Sequence, residues 1–355
     1  MPLRRHDDEC TIPFPQGFPK GAREEGSPMI GDAEIQQHAV LAGFALPGLP
    51  CSYSGKVRDA FDLTEGSRIL VATDRLSVFD RVIGCIPFKG QILNQMALYW
   101  FQQTADIIAN HVRAAIDPNA VVVERLDMLP IEIVVRAYMA GTSRTSLWTL
   151  YKTGERTLYG LRFPDGLQEN HLLPHPVITP TTKAEGGGHD EPITAADIVT
   201  RGLLPADRWE EVASAALRLF VRGRDITRRY GLILVDTKYE FGLTRDGRLM
   251  VADEVHTPDS SRYWLADSYE GRMARGEKPE NLDKDFARAW VMARCDPYRQ
   301  PIPSLPAETV VEFARRYMRL YEIVTGTPFV PPPADPPLAT RVRINIERYR
   351  ACLGS

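Results

Sequence analysis

The chain has no Cys-x-x-Cys pair, no glycine-rich nucleotide fingerprint and no long apolar run, and each absence closes off a class of function. Its five cysteines, Cys10, Cys51, Cys85, Cys295 and Cys352, are scattered and odd in number. That pattern argues against a zinc site and against a disulfide framework, and it fits a reducing compartment. Neither G-x-G-x-x-G nor G-x-x-x-x-G-K-[ST] occurs, which disfavours a Rossmann unit and a P-loop. No apolar stretch approaches the roughly 20 residues of a membrane helix. The first residues also lack the charged-then-apolar pattern of a secretion signal. An excess of one charge sign is missing too: 43 Lys+Arg against 46 Asp+Glu leave a formal net charge of −3. A chain so balanced does not call for a polyanion. The expectation is a cytoplasmic protein with no nucleic-acid and no membrane partner, present as a monomer or a homodimer.

What is present suffices for a large core: 355 residues, 44% of them hydrophobic and 25% charged. Residues 1–30 are rich in Pro, Gly and charge without periodicity and read as a disordered leader. Short strands dominate Ser52–Pro87, and a helix is predicted from Ile92 to His111 by its three- and four-residue apolar spacing. Two further strands flank Pro130. Residues 160–192, rich in Pro, Gly and His, read as a loop too long to be idle. Helices are expected over Asp32–Gly43, Ala195–Val199, Arg208–Tyr230, Leu282–Arg294, Glu308–Thr325 and Thr340–Cys352. The run of prolines in Pro328–Pro337 reads as a stiff spacer. Strands early and a mixed section later predict an α+β fold of two lobes rather than alternating βαβ units. The expected boundaries are a β-rich lobe over 31–124, an α+β lobe with terminal helices over 125–327, and a spacer plus C-terminal helix over 328–355.

The most informative stretches are LVDTKYEFG (Leu234–Gly242) and VADEVHTPDSSRYW (Val251–Trp264). Asp246-Gly247 between them suggests a two-residue hairpin turn, which would place Arg245 opposite Arg248 and Glu240 opposite Asp253. Like charges so placed repel, and a divalent ion with hard oxygen ligands, Mg²⁺ above all, would reverse the sign. Asp236 and Lys238 share that strand face because side chains alternate with period two. The plainer alternative is an exposed strand with one charged, solvated face.

Other constellations point to anions. Gly55-Lys56 in SGKVRDAFDL combines a small-residue turn with an ammonium, as a phosphate would need. Asp74, Arg75 and Ser77 end an apolar strand. Arg136 interrupts a buried-looking strand, so either an anion or a carboxylate such as Glu132 must meet it. It leads into the Gly141-Thr142-Ser143 turn. Lys183, His189 and Asp190 surround three glycines in a loop able to act as a lid. Ser260, Ser261 and Arg262 form a compact set of donors, while His256 reads as a packing residue.

Seven blocks in register, GKVRD, ATDRLSVFD, MLPIEIVVRAYMAGTS, TPTTKAEGGGHDE, LVDTKYEFG, ADEVHTPDSSRYW and DKDF, are similar to the phosphoribosylaminoimidazole-succinocarboxamide synthase (SAICAR synthetase) family. The resemblance runs from Tyr53 to Thr327. It implies a small antiparallel β-rich lobe like a protein-kinase N-lobe, a larger α+β, ATP-grasp-like lobe, and ATP in the cleft between. It also implies ligation of L-aspartate to an imidazole carboxylate ribonucleotide, giving the succinocarboxamide, ADP and phosphate, with ATP and Mg²⁺ required.

By the same resemblance Gly55, Lys56, Val57 and Arg58 cover the ATP phosphates and the backbone around Glu124 and Leu126 reads adenine. Glu240 and Asp253 hold the metal. Arg136, Thr142, Ser143, Ser260, Ser261 and Arg262 hold the imidazole nucleotide. Asp74, Ser77, His189 and Asp190 lie near the reacting carboxylate or aspartate, with Lys56, Lys183 and Lys238 as catalytic cations. Two departures stand out: Gly141-Thr142 replaces the usual Gly-Ser, and His256 stands where Leu is usual. A small-molecule kinase or a regulatory nucleotide-binding protein are the competing classes. The first would turn over without aspartate, and the second would be expected to have lost Lys56, Glu240 or Asp253, all of which are present.

Overall fold

A computed structural model of the chain describes residues 30–183 and 190–353. The leader expected over 1–30 therefore lies outside the described residues except for Ile30, as do His189 and most of the glycine loop. The described chain divides into two compact units. One holds the residues up to Tyr99, His111–Arg125 and Lys284 onward; the other holds Trp100–Asn110 and Leu126–Asp283.

The first unit is built on an antiparallel five-stranded sheet. Its strands are β1 (Tyr53–Ser54), β2 (Arg58–Thr64), β3 (Ser67–Ala72), β6 (Val112–Asp117) and β7 (Ala120–Glu124), in the order β1-β2-β3-β7-β6. A separate hairpin pairs β4 (Arg75–Val78) with β5 (Arg81–Cys85). The alternation in RILVA and VVV fills both sheet faces. Phe61, Ile69, Val71, Ile116 and Val122 on one face meet Leu338, Val342 and Ile346 of the C-terminal helix Leu338–Leu353. Val121, Val123 and Ala115 on the other face meet Leu98 of helix Lys89–Gln103.

Two differences from the sequence reading arise here. Helices Asp285–Met292 and Ala307–Thr325, expected with the second lobe, group with the first unit, where the latter packs on helix Asp32–Gln37, and the C-terminal helix, expected as a separate end segment, supplies core residues to the N-terminal sheet. Arg341 on it donates to Asp117 and to Asn119, the latter at 2.7 Å, which fixes the β6–β7 turn. The other difference is Cys352, which takes part in a disulfide, whereas Cys51, Cys85 and Cys295 are free. Spacing along the chain carries no information about which thiols meet in space, so the sequence could not show it.

The second unit contains a seven-stranded sheet and a short hairpin of β10 (Thr157–Leu158) with β11 (Leu161–Arg162). The large sheet runs β12 (Leu172–Ile178), β9 (Ile131–Tyr138), β14 (Leu232–Leu243), β15 (Leu249–Ala252), with β8 (Asp127–Met128), β13 (Thr181–Thr182) and β16 (Ser261–Leu265) paired alongside. The strand β12 falls in a stretch read from sequence as loop. Pro174 and Pro176 hid it, since proline cannot donate to a ladder; β12 sits at the end of the strand order with an irregular register, where a missing N–H is tolerated.

Helix Ala206–Arg228 packs on β14 through Val212, Ala215, Ala216, Leu219, Phe220, Gly223 and Thr227, the spacing of one helix face. Gly223 is there because of His256. A Cβ at 223 would lie 2.4 Å from His256 Nε2. The His256 ring is fully buried against Trp100 and Tyr239, its Nε2 lying 3.1 Å from the Leu219 carbonyl oxygen. Burial drives its pKa down from the ordinary 6.5 to about 3, against the smaller pull of that carbonyl.

The unfolded chain therefore takes up a proton at this site before the folded one does, and stability falls as pH drops from about 6.5 towards 3. His256→Leu should remove this term. Urea unfolding at pH 7 and pH 5 should show the variant losing about 2 kcal/mol less than the parent chain, at about 1.4 kcal/mol per pH unit. Equal losses in both chains would rule out a neutral buried imidazole.

Candidate active site

Strand β14 lies between β9 and β16, and its period-two alternation sorts side chains onto two faces. Asp236 is level with Arg136 on one side and Arg262 on the other. The Asp236 Oδ2 accepts from Arg136 Nη1 at 2.9 Å and from Arg262 Nη1 at 2.8 Å. Arg136 Nε also donates to Thr179 Oγ1 at 2.8 Å. All three charged side chains are largely buried, at 6%, 9% and 12% exposed for Arg136, Asp236 and Arg262. Two guanidiniums on one carboxylate leave a net positive charge in a buried setting, which favours an anion.

Four residues further along the same face stands Glu240. Lys183 Nζ donates to its Oε2 at 2.6 Å and Lys238 Nζ to its Oε1 at 3.4 Å. Lys238 also donates to Glu132 Oε1 at 2.7 Å. Burial raises the Glu240 carboxyl, but the two ammoniums together pull it well below the usual range. Burial also raises Glu132, helped by the charges of Glu240 and Asp190, while Lys238 pulls it back. Lys238 itself is held firmly protonated: burial opposes the charge, but Glu240, Glu132 and then Asp253 outweigh it.

The hairpin register differs from the sequence reading. Glu240 pairs with Ala252, not with Asp253, and Leu243 with Leu249. The turn has three residues, Arg245–Gly247, closed by the Thr244 N–H on the Arg248 carbonyl at 3.0 Å, with Gly247 at φ 79°. Thr244 Oγ1 accepts from Arg248 N–H at 3.0 Å, which favours this longer turn over a two-residue one. A one-residue shift reverses faces, yet Asp253 still acts on Lys238 because the chain has left the strand there, at φ 59°. The carboxylate that the register carries level with Glu240 is Glu132, one step beyond the Tyr239–Ile133 pair.

The remaining sequence candidates fall as follows. Ser261 is buried on the opposite face, 2.6 Å from Thr237 Oγ1, and Ser260 Oγ accepts from the Thr257 N–H within its own turn. Thr142 and Ser143 are exposed beside Gly141, whose φ of 114° and contact with Ser146 leave no room for a side chain. Asp190 is exposed.

In the first unit, Gly55 N–H donates to the Arg58 carbonyl at 2.8 Å, closing a small loop around Lys56 and Val57. A side chain at 55 would strike the Tyr53 ring at 2.9 Å. Beneath the loop Arg75 Nη2 donates to the Gly55 carbonyl at 2.7 Å and to Asp59 at 2.8 Å, and Thr73 Oγ1 donates to the Val57 carbonyl at 2.6 Å. Lys56 is exposed and ion-paired with Asp80. Asp74 is buried; its oxygens accept from the Leu41 and Gly90 N–H groups at 2.7 and 2.8 Å. Burial pushes its carboxyl up to about 6 despite those bonds and the Lys89 charge. Ser77 is buried in β4. The Glu124 N–H donates to the His111 carbonyl at 2.7 Å. In the second unit Leu126 lies close over Gly242, where a Cβ would be 2.7 Å away.

The sequence profile of SAICAR synthetase matches residues 51–305. The chain belongs to that family. A phosphoribosylaminoimidazole-succinocarboxamide synthase from Legionella pneumophila is 47% identical over 298 residues, covering 84% of this chain and 95% of its own. Among solved structures, the SAICAR synthase from Saccharomyces cerevisiae complexed with SAICAR aligns with a TM-score of 0.70 at 30% identity, over 81% of this chain and 99% of that one. A SAICAR synthetase in complex with ADP aligns at 0.60 and 25% identity, over 78% and 99%. Membership makes the chain an ATP-dependent ligase of purine biosynthesis, with the α+β architecture of the family. No helix among the described residues is long and apolar enough to cross a membrane.

The family implies Mg²⁺, and the donor set fits it. Both Glu240 oxygens already face cations, and Asp253 lies within the field of the same cluster. No cage of three or more ligating side chains occurs among the described residues.

Asp236→Ala should lower the unfolding free energy by about 3–5 kcal/mol, because it leaves two buried guanidiniums without their shared partner. Urea denaturation followed by tryptophan fluorescence measures this. A loss below about 1 kcal/mol would mean that the arginines find another anion or water.

Proposed function

We propose that the chain ligates L-aspartate to 5-amino-1-(5-phosphoribosyl)imidazole-4-carboxylate at the expense of ATP. The observation that carries this reading is the pairing of two charged stations on one sheet face. A positive station at Arg136, Asp236 and Arg262 and a cation-binding carboxylate at Glu240 are four residues apart on β14. At strand rise that is about 13 Å, comparable with the span of a mononucleotide from its phosphate to a substituent on its base. The nucleotide phosphate belongs at the arginines, with Thr142 and Ser143 as further assigned contacts; Ser261, on the opposite face, and Ser260, bound within its own turn, take a supporting part. The imidazole carboxylate then points towards Glu240, Asp253, Lys183 and Lys238.

A carboxylate is a poor electrophile at neutral pH. Transfer of the ATP γ-phosphoryl group to it breaks the bridging P–O bond, releases ADP and leaves an acyl phosphate. The aspartate amine then attacks the acyl carbon and phosphate departs with the bonding pair. Phosphoryl transfer asks the protein for position and charge neutralisation. Mg²⁺ held through Glu240 and Asp253 would supply part of that charge. Lys183 and Lys238 supply the rest from the sheet face. Gly55, Lys56, Val57 and Arg58 of the first unit are assigned to ATP phosphates, and the backbone around Glu124 and Leu126, where the chain passes from the first unit to the second, to adenine. Asp74, Ser77, His189 and Asp190 are assigned to the neighbourhood of aspartate and the reacting carboxylate; the burial of Asp74 and Ser77 gives them a supporting rather than a contacting part.

ADP release in a coupled assay, with the imidazole nucleotide present and L-aspartate first omitted and then restored, tests the reading. Aspartate-dependent turnover with a succinocarboxamide product is expected, and Glu240→Gln or Asp253→Asn should reduce kcat by about 100-fold or more. ADP release indifferent to aspartate would favour a small-molecule kinase instead.

A further inference from the structure

The Glu240 carboxylate is claimed by two ammoniums that are held in different ways. Lys238 makes its shorter contact with Glu132, at 2.7 Å, and reaches Glu240 only at 3.4 Å. Lys183 is bound to Glu240 itself, at 2.6 Å on Oε2. The pair is partly shielded, with Lys183 28% and Glu240 19% exposed. A magnesium ion bonds oxygen at about 2.1 Å, so on Oε2 it would stand against the Lys183 ammonium with two positive charges facing one. Lys238 can yield Glu240 and keep Glu132; Lys183 must leave.

We propose that Lys183 is the resident counter-ion of Glu240, displaced when the metal–nucleotide arrives and redeployed onto the phosphates that come with it. Its main chain stays in place, because the Lys183 N–H donates to the Pro130 carbonyl at 3.2 Å immediately after β13. Only the four-carbon stem has to swing. One side chain thus neutralises a part-buried carboxylate in the free protein, where bare Glu240 would repel Glu132, and a phosphoryl oxygen in the loaded one. Free divalent ion binds weakly in consequence, since it must break an ion pair without bringing an anion for the freed ammonium. The ion–nucleotide complex brings that anion with it. The inference rests on Glu240 being a metal-bound carboxylate, as assigned above.

Mn²⁺ binding without nucleotide, followed by electron paramagnetic resonance on the full chain, separates the two claims. Lys183→Met should bind Mn²⁺ roughly tenfold more tightly than the parent, the scale of one part-shielded ion pair, Lys183→Arg should bind as the parent does, and Glu240→Gln should bind more weakly. Equal affinity for Lys183→Met and the parent, with Glu240→Gln still impaired, would overturn the exchange and leave the metal assignment standing. Unimpaired binding by Glu240→Gln would overturn both. The parent chain gives an independent reading that needs no variant: the rate at which Lys183 is acetylated, followed by mass spectrometry, should rise several-fold when saturating Mn²⁺ is added. An unchanged or slower rate means that the ammonium has not left Glu240.

Discussion

The central constraint is that charge must balance pairwise across a strand that has neighbours on both edges. Strand β14 carries Asp236, Lys238 and Glu240 on one face, with β9 running alongside and β16 next to Asp236. Each charge therefore has to be met from the next strand, by Arg136 and Arg262 for Asp236, and by Glu132 for Lys238. The two ends are paired in opposite senses. Near Asp236 two guanidiniums share one carboxylate; near Glu240 the lysines Lys183 and Lys238 lie among Glu132, Glu240 and Asp253, with Asp190 acting on Glu132. A ligand with an anionic phosphate at one end and a cation-bearing carboxylate at the other suits both.

Much of this was legible in the sequence because it depends on period-two alternation. LVDTKYEFG displays its charges at every second position, and that alone puts Asp236, Lys238 and Glu240 on one face. What was not legible was register. The choice between a two- and a three-residue turn at Arg245–Gly247 hangs on a threonine hydroxyl and a left-handed glycine. It shifts the partner of Glu240 from Asp253 to Ala252. Glu132 was visible as a candidate partner for Arg136, but only the alignment of β9 with β14 assigns it to Lys238 instead. Strand β12 was missed because Pro174 and Pro176 read as loop, and nothing local says that a proline-bearing segment will lie at the end of a sheet. Most helices, whose signal is local, fell close to their expected bounds, but Asp32–Gln37 stops well short of Gly43 and Lys89–Gln103 well short of His111, and two short ones, Leu147–Tyr151 and Ala266–Ala274, were not anticipated.

In the first unit the Gly55–Arg58 loop shows how a small-residue turn acquires a fixed shape. Its carbonyls are bound from beneath by Arg75 and Thr73, and Arg75 is itself held by Asp59. Sequence reading singled out the residues on the loop and the polar run Asp74–Ser77 as separate features. The structure joins them, with the second serving as the underside of the first. Asp74 does the same for Leu41 and Gly90, so a polar cluster at a strand end can be framework rather than contact surface.

The C-terminal helix has a consequence for how the protein is made. Leu338, Val342 and Ile346 close the core over a sheet whose strands begin at Tyr53, so a sheet translated ahead of the second unit is completed by a helix translated after it. Throughout synthesis of the second unit, Phe61, Ile69 and Val71 wait without their final cover. Nascent-chain folding of this protein is thus ordered against the direction of translation: a sheet that emerges ahead of the inserted middle receives its last core residues only from chain that follows it.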